Sequence, residues 1–242
     1  MNGRKRFYRE VSVDFLTPLE GEGRAGGYQV LLDGKPIRTP SGAVSILPTT
    51  SLADAVAEEW RAQGDKIRPA TMILTKLANT AIDRVAPNRQ AVIAQILAFG
   101  KSDSLCYRAE APEALVGRQV AAWDPLLEWA RVRYGAELHV ATGIGPIEQS
   151  PEALQALERA IAGHGDFALA GLHGAATLLG SVIVALALSE GRLDAGEAFA
   201  AAYLDEIYQA EKWGRDQEAD RRLRNKAAEL TEIARFLRIL RG

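Results

Sequence analysis

Apolar and polar residues along this chain change their period once, near residue 50. Before that point the period is two. Val11, Val13 and Phe15 alternate with Glu10, Ser12 and Asp14 within residues 7–15, the spacing of a half-buried strand. Residues 28–32 read as a second short strand, Asp33-Gly34 as a hairpin turn and residues 35–38 as the returning strand. Residues 40–42 turn the chain again, and residues 43–47 predict a further strand. Together these predict an antiparallel sheet of short strands.

Helical spacing then takes over. Thr50 or Ser51 is placed to cap a helix, and Asp54 follows Ser51 by three residues, as in a capping box. Leu52, Ala55, Val56 and Trp60 share one face, and Gly64 ends it. Further helices are predicted near 75–84, 88–99 and 113–134, with Pro125 inside the last predicting a kink or a division. Residues 135–145 read as a loop with a short extended piece. Ser150-Pro151 supplies an N-cap followed by proline at the first helical position. A strongly apolar helix is expected over 166–189, stopped by Gly191. Asp194 and Glu197 look like a cap and its reciprocal partner, opening a helix that runs to Trp213 and ends at Gly214. The last helix is expected over 216–240. Its seam of Leu223, Ala227, Leu230, Ala234 and Leu237 suits packing onto a bundle. The predicted fold class is α+β: a small N-terminal antiparallel sheet domain with helices, residues 1–92, followed by an all-α C-terminal bundle, residues 93–242.

Composition narrows the chemistry. The 242 residues hold one cysteine, Cys106, and three histidines, His139, His164 and His173. One thiol excludes an internal disulfide and a four-cysteine zinc site. Lys+Arg 29 against Asp+Glu 31 leaves a net charge of −2, without the basic footprint that nucleic acid requires. The first residues are polar and basic with no apolar run behind them, so no secretory signal is expected. Arg4, Lys5, Arg6 and Arg9 stand where a transit peptide would carry cations, but the strand pattern begins at about Phe7. Residues 167–189 carry no formal charge and match a bilayer in length. Gly171, His173, Gly174, Thr177, Gly180 and Ser181 weaken that reading, and no basic cluster flanks one side. The central helix of a bundle is the preferred reading, with a peripheral membrane role as the alternative.

Few constellations carry chemistry. Residues 21–26 spell G-x-G-x-x-G, but a strand follows where a phosphate-binding loop needs a helix. Gly143-x-Gly145 runs directly into proline. Cys106 could pair in space with a histidine, though its sequence context, between Leu105 and Tyr107, suits a small buried side chain. A hydrolase built on Cys106 or on a carboxylate pair therefore remains an open alternative. Acids gather late in the chain: Asp205, Glu206, Glu211, Asp216, Glu218 and Asp220. They form either a solvated face or a partner site. Arg215, Arg221, Arg222, Arg224 and Lys226 make a basic patch that the interleaved acids would neutralise as a salt-bridged face. Trp213, just before a helix-ending glycine, reads equally as core or as interface anchor.

An ordered set of segments carries a resemblance. RFYREVSV at 6–13, LLDGKPIRTP at 31–40 and LPTTSLADAVAEEW at 47–60 are followed by LANTAID at 77–83, SDSLCYRA at 102–109 and WDPLLEW at 123–129. The run at 185–220 completes the set, which covers nearly the whole chain. The chain resembles the assembly chaperone family that attends the free alpha subunit of the ATP synthase catalytic head. It departs at Ile73, where proline is expected, and at Gly100-Lys101. The resemblance implies two domains, no catalytic activity and no cofactor. It implies a chaperone, a monomer when free, that shields the unassembled alpha subunit until the beta subunit takes its place. It also implies a bacterial cytoplasmic location, or the mitochondrial matrix for eukaryotic relatives. On this reading Glu211, Trp213, Asp216 and Glu218 form part of the partner-binding site, and Trp60 is structural.

Overall fold

A computed structural model describes residues 5–17, 26–143, 145–214 and 216–242. Most of the glycine-rich run at 21–26, together with Ile144 and Arg215, lies outside the described residues. The chain divides into two compact units. One comprises Met1–Arg89, Asp166–Ala170 and Arg235–Gly242; the other comprises Gln90–Gly165 and Gly171–Ala234.

The first unit is built on a three-stranded antiparallel sheet in the order β1 (Val11–Leu16), β2 (Gly27–Leu32), β3 (Lys35–Pro36). Val11 pairs with Leu32 and Leu16 with Gly27, so Phe15 lies opposite Tyr28 with ring centroids 5.1 Å apart. The Asp33-Gly34 turn has φ of 49° and 77° at its two central residues, the twist that a two-residue hairpin needs. The Asp33 carboxylate also accepts from the Glu10 and Arg9 amides, which hold it below the usual range. The strand expected over 43–47 is reduced to isolated bridges, Arg38 with Val44 and Tyr28 with Leu47. The first strand starts at Val11, four residues later than its pattern suggested.

Helix α1 (Thr50–Arg61) packs on β1 and β2 and buries Leu52, Ala53 and Val56. Its cap is Thr49, which accepts from the Leu52 amide, so the expected Thr50 or Ser51 cap is one or two residues late. A short 3-10 turn, Pro69–Thr71, leads into α2 (Ile73–Thr80). No side chain at the start of α2 caps it. The carboxylate of Glu59 on α1 does so from outside, accepting from the Leu74 and Thr75 amides, both at 2.8 Å. Beyond α2 the backbone widens into a π-helical turn, Ala81–Val85, before a second 3-10 turn, Ala86–Asn88.

The second unit is helical. It contains most of α3 (Arg89–Lys101), then α4 (Glu113–Tyr134) and α5 (Pro151–Ala162), with β4 (Tyr107–Arg108) and β5 (Ala141–Thr142) paired in parallel. Pro125 neither divides nor ends α4. Proline removes one N–H and pushes on the carbonyl four residues earlier, here Ala121. Both residues are exposed, so water can take that carbonyl.

The single apolar helix expected over 166–189 is two helices, α6 (Asp166–Leu179) and α7 (Val182–Glu190). Gly180 adopts φ 67° and ψ 13°, a left-handed stop that glycine takes without a Cβ penalty. Ser181 then caps α7, accepting from the Val184 amide. A buried carboxylate holds the break: Asp103 accepts from the Ser181 hydroxyl at 2.9 Å and the Ile183 amide at 3.1 Å. Every residue from Val182 to Ser189 is buried, so α7 is the all-round apolar centre of this unit. Among the described residues no helix is long and apolar enough to cross a membrane.

Candidate partner-binding site

The C-terminal helices of the second unit form the candidate site. Asp194 and Glu197 make the reciprocal capping box that opens α8 (Ala195–Ala202). The helix expected to continue to Trp213 breaks at Tyr203, whose φ of −108° and ψ of 25° leave the helical region. Tyr203 is buried, stacks on Phe199 at 4.5 Å and donates its hydroxyl to the Leu178 carbonyl. Beyond Tyr203 the chain continues as a separate helix, α9 (Leu204–Trp213). Gly214 ends α9 with φ 90° and ψ 166°. Asp216 then caps the last helix, α10 (Gln217–Arg241), accepting from the Ala219 amide at 3.1 Å.

Between α8, α9 and the first part of α10 lies a cavity of about 590 Å³. Phe199, Tyr203, Ile207 and Trp213 line one side, and Leu223 and Ala227 the other. Leu223 and Ala227 belong to the predicted seam, yet both stay half-buried, while Leu230 and Leu237 further along are buried. The seam is therefore fully covered only at Leu230 and Leu237. The walls carry both signs of charge: Glu206, Asp216 and Asp220 face Arg222, Arg224 and Lys226 around the same space. Asp220 pairs with Arg224, and the Lys226 ammonium sits 4.8 Å from the Tyr203 ring centroid.

The four expected site residues divide. Trp213 and Asp216 both line the cavity. Trp213 is 78% exposed, so its ring lies on the surface at the end of α9. Glu211 points to α4 instead, pairing with Arg118 at 2.7 Å with both side chains about half exposed. Glu218 is exposed in the first turn of α10, where a carboxylate complements the helix dipole. The apolar lining from Phe199, Tyr203 and Ile207 was missed by sequence reasoning. Its signal was present in the helical spacing of those residues, but a continuous helix would have spread them differently.

The alternative chemistry finds little support in the geometry. Cys106 is fully buried. Burial, with the nearby Asp103 carboxylate, pushes its thiol up to about 12, and a protonated thiol is a poor nucleophile. His139 Nδ1 lies 2.9 Å from the Glu148 carbonyl, and His164 Nε2 lies 3.1 Å from the Ser189 hydroxyl. Among the described residues no group of three or more His, Cys, Asp or Glu side chains is arranged to hold a metal.

Known proteins agree with one another about this chain. The profile described as ATP12 chaperone protein matches residues 5–131. The mitochondrial protein atp12 of Schizosaccharomyces pombe is 25% identical over 228 residues, 88% of this chain and 78% of its own length. The crystal structure of Atp12 from Paracoccus denitrificans superposes with a TM-score of 0.88 at 42% identity, covering 97% of each chain. The Atu1473 protein of Agrobacterium tumefaciens gives 0.88 at 43% identity, over 96% of this chain and 84% of its own. By the profile match, and by likeness along nearly its whole length, this chain belongs to the ATP12 chaperone family.

Proposed function

We propose that this protein binds the unassembled alpha subunit of ATP synthase and covers the surface that later meets the beta subunit, without hydrolysing nucleotide. Membership of the ATP12 family makes it a chaperone of ATP synthase assembly. The alpha-subunit assignment rests on the resemblance together with one observation: Trp213 is 78% exposed at the rim of a half-apolar cavity. Exposed tryptophan beside unfilled apolar space is what a protein interface uses as an anchor.

The physical logic is direct. A subunit made for a ring exposes its apolar contact faces when alone, and such patches aggregate. A partner that binds the folded free subunit stabilises it by mass action. It must also let go. A Kd of about 1 µM, about −8 kcal/mol, protects the subunit yet yields to a tighter final partner. An interface of about 1,200–2,000 Å² allows that affinity, because area alone does not set it. On this reading Trp213 supplies the anchor, Asp216 and Glu218 present carboxylates at the start of α10, and Glu211 exchanges its Arg118 pairing for a cation of the alpha subunit. The compartment is then the one where the alpha subunit is assembled, the bacterial cytoplasm or the mitochondrial matrix.

Co-expression tests the proposal. The cognate alpha subunit should become more soluble in the presence of this chain and co-purify with it. Glu211→Lys combined with Glu218→Lys should weaken co-purification at least tenfold while the Tm of the free chaperone stays within a few degrees. An alpha subunit whose solubility does not respond to this chain would remove the proposal. Unaltered capture by the double variant would remove the residue assignment alone.

A further inference from the structure

Helix α9 presents two stripes of side chains. Asp205, Tyr208 and Glu211 follow one another at intervals of three residues, and so do Ile207, Ala210 and Trp213. At about 100° per residue the stripes lie about 200° apart around the helix. The second stripe lines the cavity and carries the exposed Trp213. The first stripe meets α4. Gln119 Nε2 donates to an Asp205 carboxylate oxygen at 2.8 Å, the Arg118 guanidinium lies 5.1 Å from the Tyr208 ring centroid, and Arg118 pairs with Glu211 at 2.7 Å. Whatever sets the rotation of α9 on α4 therefore sets how Trp213 and the cavity wall are presented.

Gln119 makes the contact that water cannot loosen. It is fully buried, whereas Arg118 and Glu211 are each about half exposed, and an exposed ion pair holds its geometry weakly. The Gln119 amide is used at both ends: Oε1 accepts from the Ala109 amide at 2.8 Å while Nε2 donates to Asp205. A backbone N–H only donates and a carboxylate only accepts, so these two partners fix which way the amide points. Ala109 directly follows β4, whose Arg108 is held by the Leu105 carbonyl and by Asp124. One side chain thus ties Asp205 to the buried base of the unit. The ends of α9 supply no comparable reference: Tyr203 gives its first turn no side-chain cap, and Gly214 leaves the helical region.

We propose that Gln119 is a positioning residue for the partner site: it fixes the rotation of α9, and with it the aim of Trp213 and the cavity wall, without touching the partner itself. The proposal rests on the reading that the alpha subunit binds at this face of α9.

The test uses the full chain and the cognate alpha subunit, at a temperature below the unfolding range of every variant, so that affinity is read per folded molecule. Gln119→Leu keeps a side chain of similar bulk and removes both hydrogen bonds. It should bind the alpha subunit at least about tenfold more weakly, the worth of one hydrogen bond to a charged group. Gln119→Glu adds a second handle. Protonated, the introduced carboxyl does what the amide did, accepting from Ala109 and donating to Asp205; ionised, it repels Asp205. Its affinity relative to the parent should be near one at about pH 5.5 and at least about tenfold lower at about pH 9. The rotation is read on the free chain by double electron–electron resonance between nitroxide labels at Val120→Cys and Gln209→Cys, two exposed positions, with Cys106 buried and unlabelled. Gln119→Leu should shift or broaden that distance distribution. A residue that serves only the fold would lower the Tm and leave the affinity of folded molecules unchanged. Parental affinity in Gln119→Leu, a distance distribution identical to the parent's, or a Gln119→Glu affinity that does not fall with pH would each overturn the inference. If the parent captures no alpha subunit, the proposed function itself falls, and the label distances still decide whether Gln119 orients α9.

Discussion

Two adjacent glutamates on α1 should respond very differently to removal. Glu59 reaches across to α2, where its carboxylate accepts from the Leu74 amide at 2.8 Å, the Thr75 amide at 2.8 Å and the Thr75 hydroxyl at 2.6 Å. Those amides belong to the first turn of a helix that lacks a side-chain cap of its own, so they have no intrahelical partner. Leu74 is fully buried and Thr75 nearly so, so water is not a ready substitute. Orphaning two buried N–H groups costs about 1–3 kcal/mol each, and losing the carboxylate from the dipole adds about 0.3–1. Glu59→Ala should therefore destabilise by about 2–7 kcal/mol. Glu59→Gln keeps one acceptor oxygen but turns an NH2 toward the other amide, and should cost about 1.5–3. Glu58 is the internal control. Its side chain is 64% exposed and pairs with Arg235 at 3.1 Å, so Glu58→Ala should cost about 0–1 kcal/mol. Equilibrium urea unfolding of the full chain, followed by far-UV circular dichroism, reads the shift in midpoint at constant m-value. If Glu59→Ala cost no more than Glu58→Ala, the reasoning that α2 depends on a cap supplied from α1 would be wrong.

Three further outcomes follow from the structure. Burial pushes the Asp103 carboxyl up to about 6 despite its hydrogen bonds from Ser181, Ile183 and Leu105. The folded chain then holds a proton that the unfolded chain releases between about pH 4 and 6. The stability of the parent relative to Asp103→Asn should accordingly fall as pH rises through that window, by up to about 3 kcal/mol; a rising difference would contradict the burial argument. The Cys106 thiol, buried and held at about 12, should resist a disulfide reagent at pH 8 in the native protein and react fully once unfolded, and prompt labelling of the native chain would count against the packing described. Trp213→Ala removes a side chain that is 78% exposed, so its Tm should move by only a degree or two while alpha-subunit capture weakens at least tenfold; a large fall in Tm would mean that Trp213 serves the fold and not a partner.

The chain's own pattern made much of the fold legible. Alternation at Val11, Val13 and Phe15 and the Asp33-Gly34 dipeptide specified the hairpin, because a period of two and a turn with positive φ are local properties. The Asp194/Glu197 box and the Ser150-Pro151 start were equally local, and both caps form as spelled. Local reasoning failed where two adjacent stretches were both helical. Gly180-Ser181 and Tyr203 interrupt apolar or amphipathic runs whose periodicity continues across them. The breaks depend on long-range partners: Asp103 for the first and the Leu178 carbonyl for the second.

The candidate site shows the same division. Sequence alone placed Trp213, Asp216 and Glu218 around a helix junction and tied the chain to its family through an ordered set of segments. It determined the elements, the caps and the scarcity of thiol and imidazole, since each follows from residue identity and near-neighbour spacing. Only the tertiary structure decided that Leu223 and Ala227 remain half-buried along a cavity while Leu230 and Leu237 of the same seam are buried. It alone turned Glu211 to Arg118, drew a cap for α2 from Glu59, and buried the Trp60 N–H without an acceptor among the described residues. Burial and pairing are properties of surfaces brought together from distant parts of the chain, and no local period encodes which surface is left uncovered.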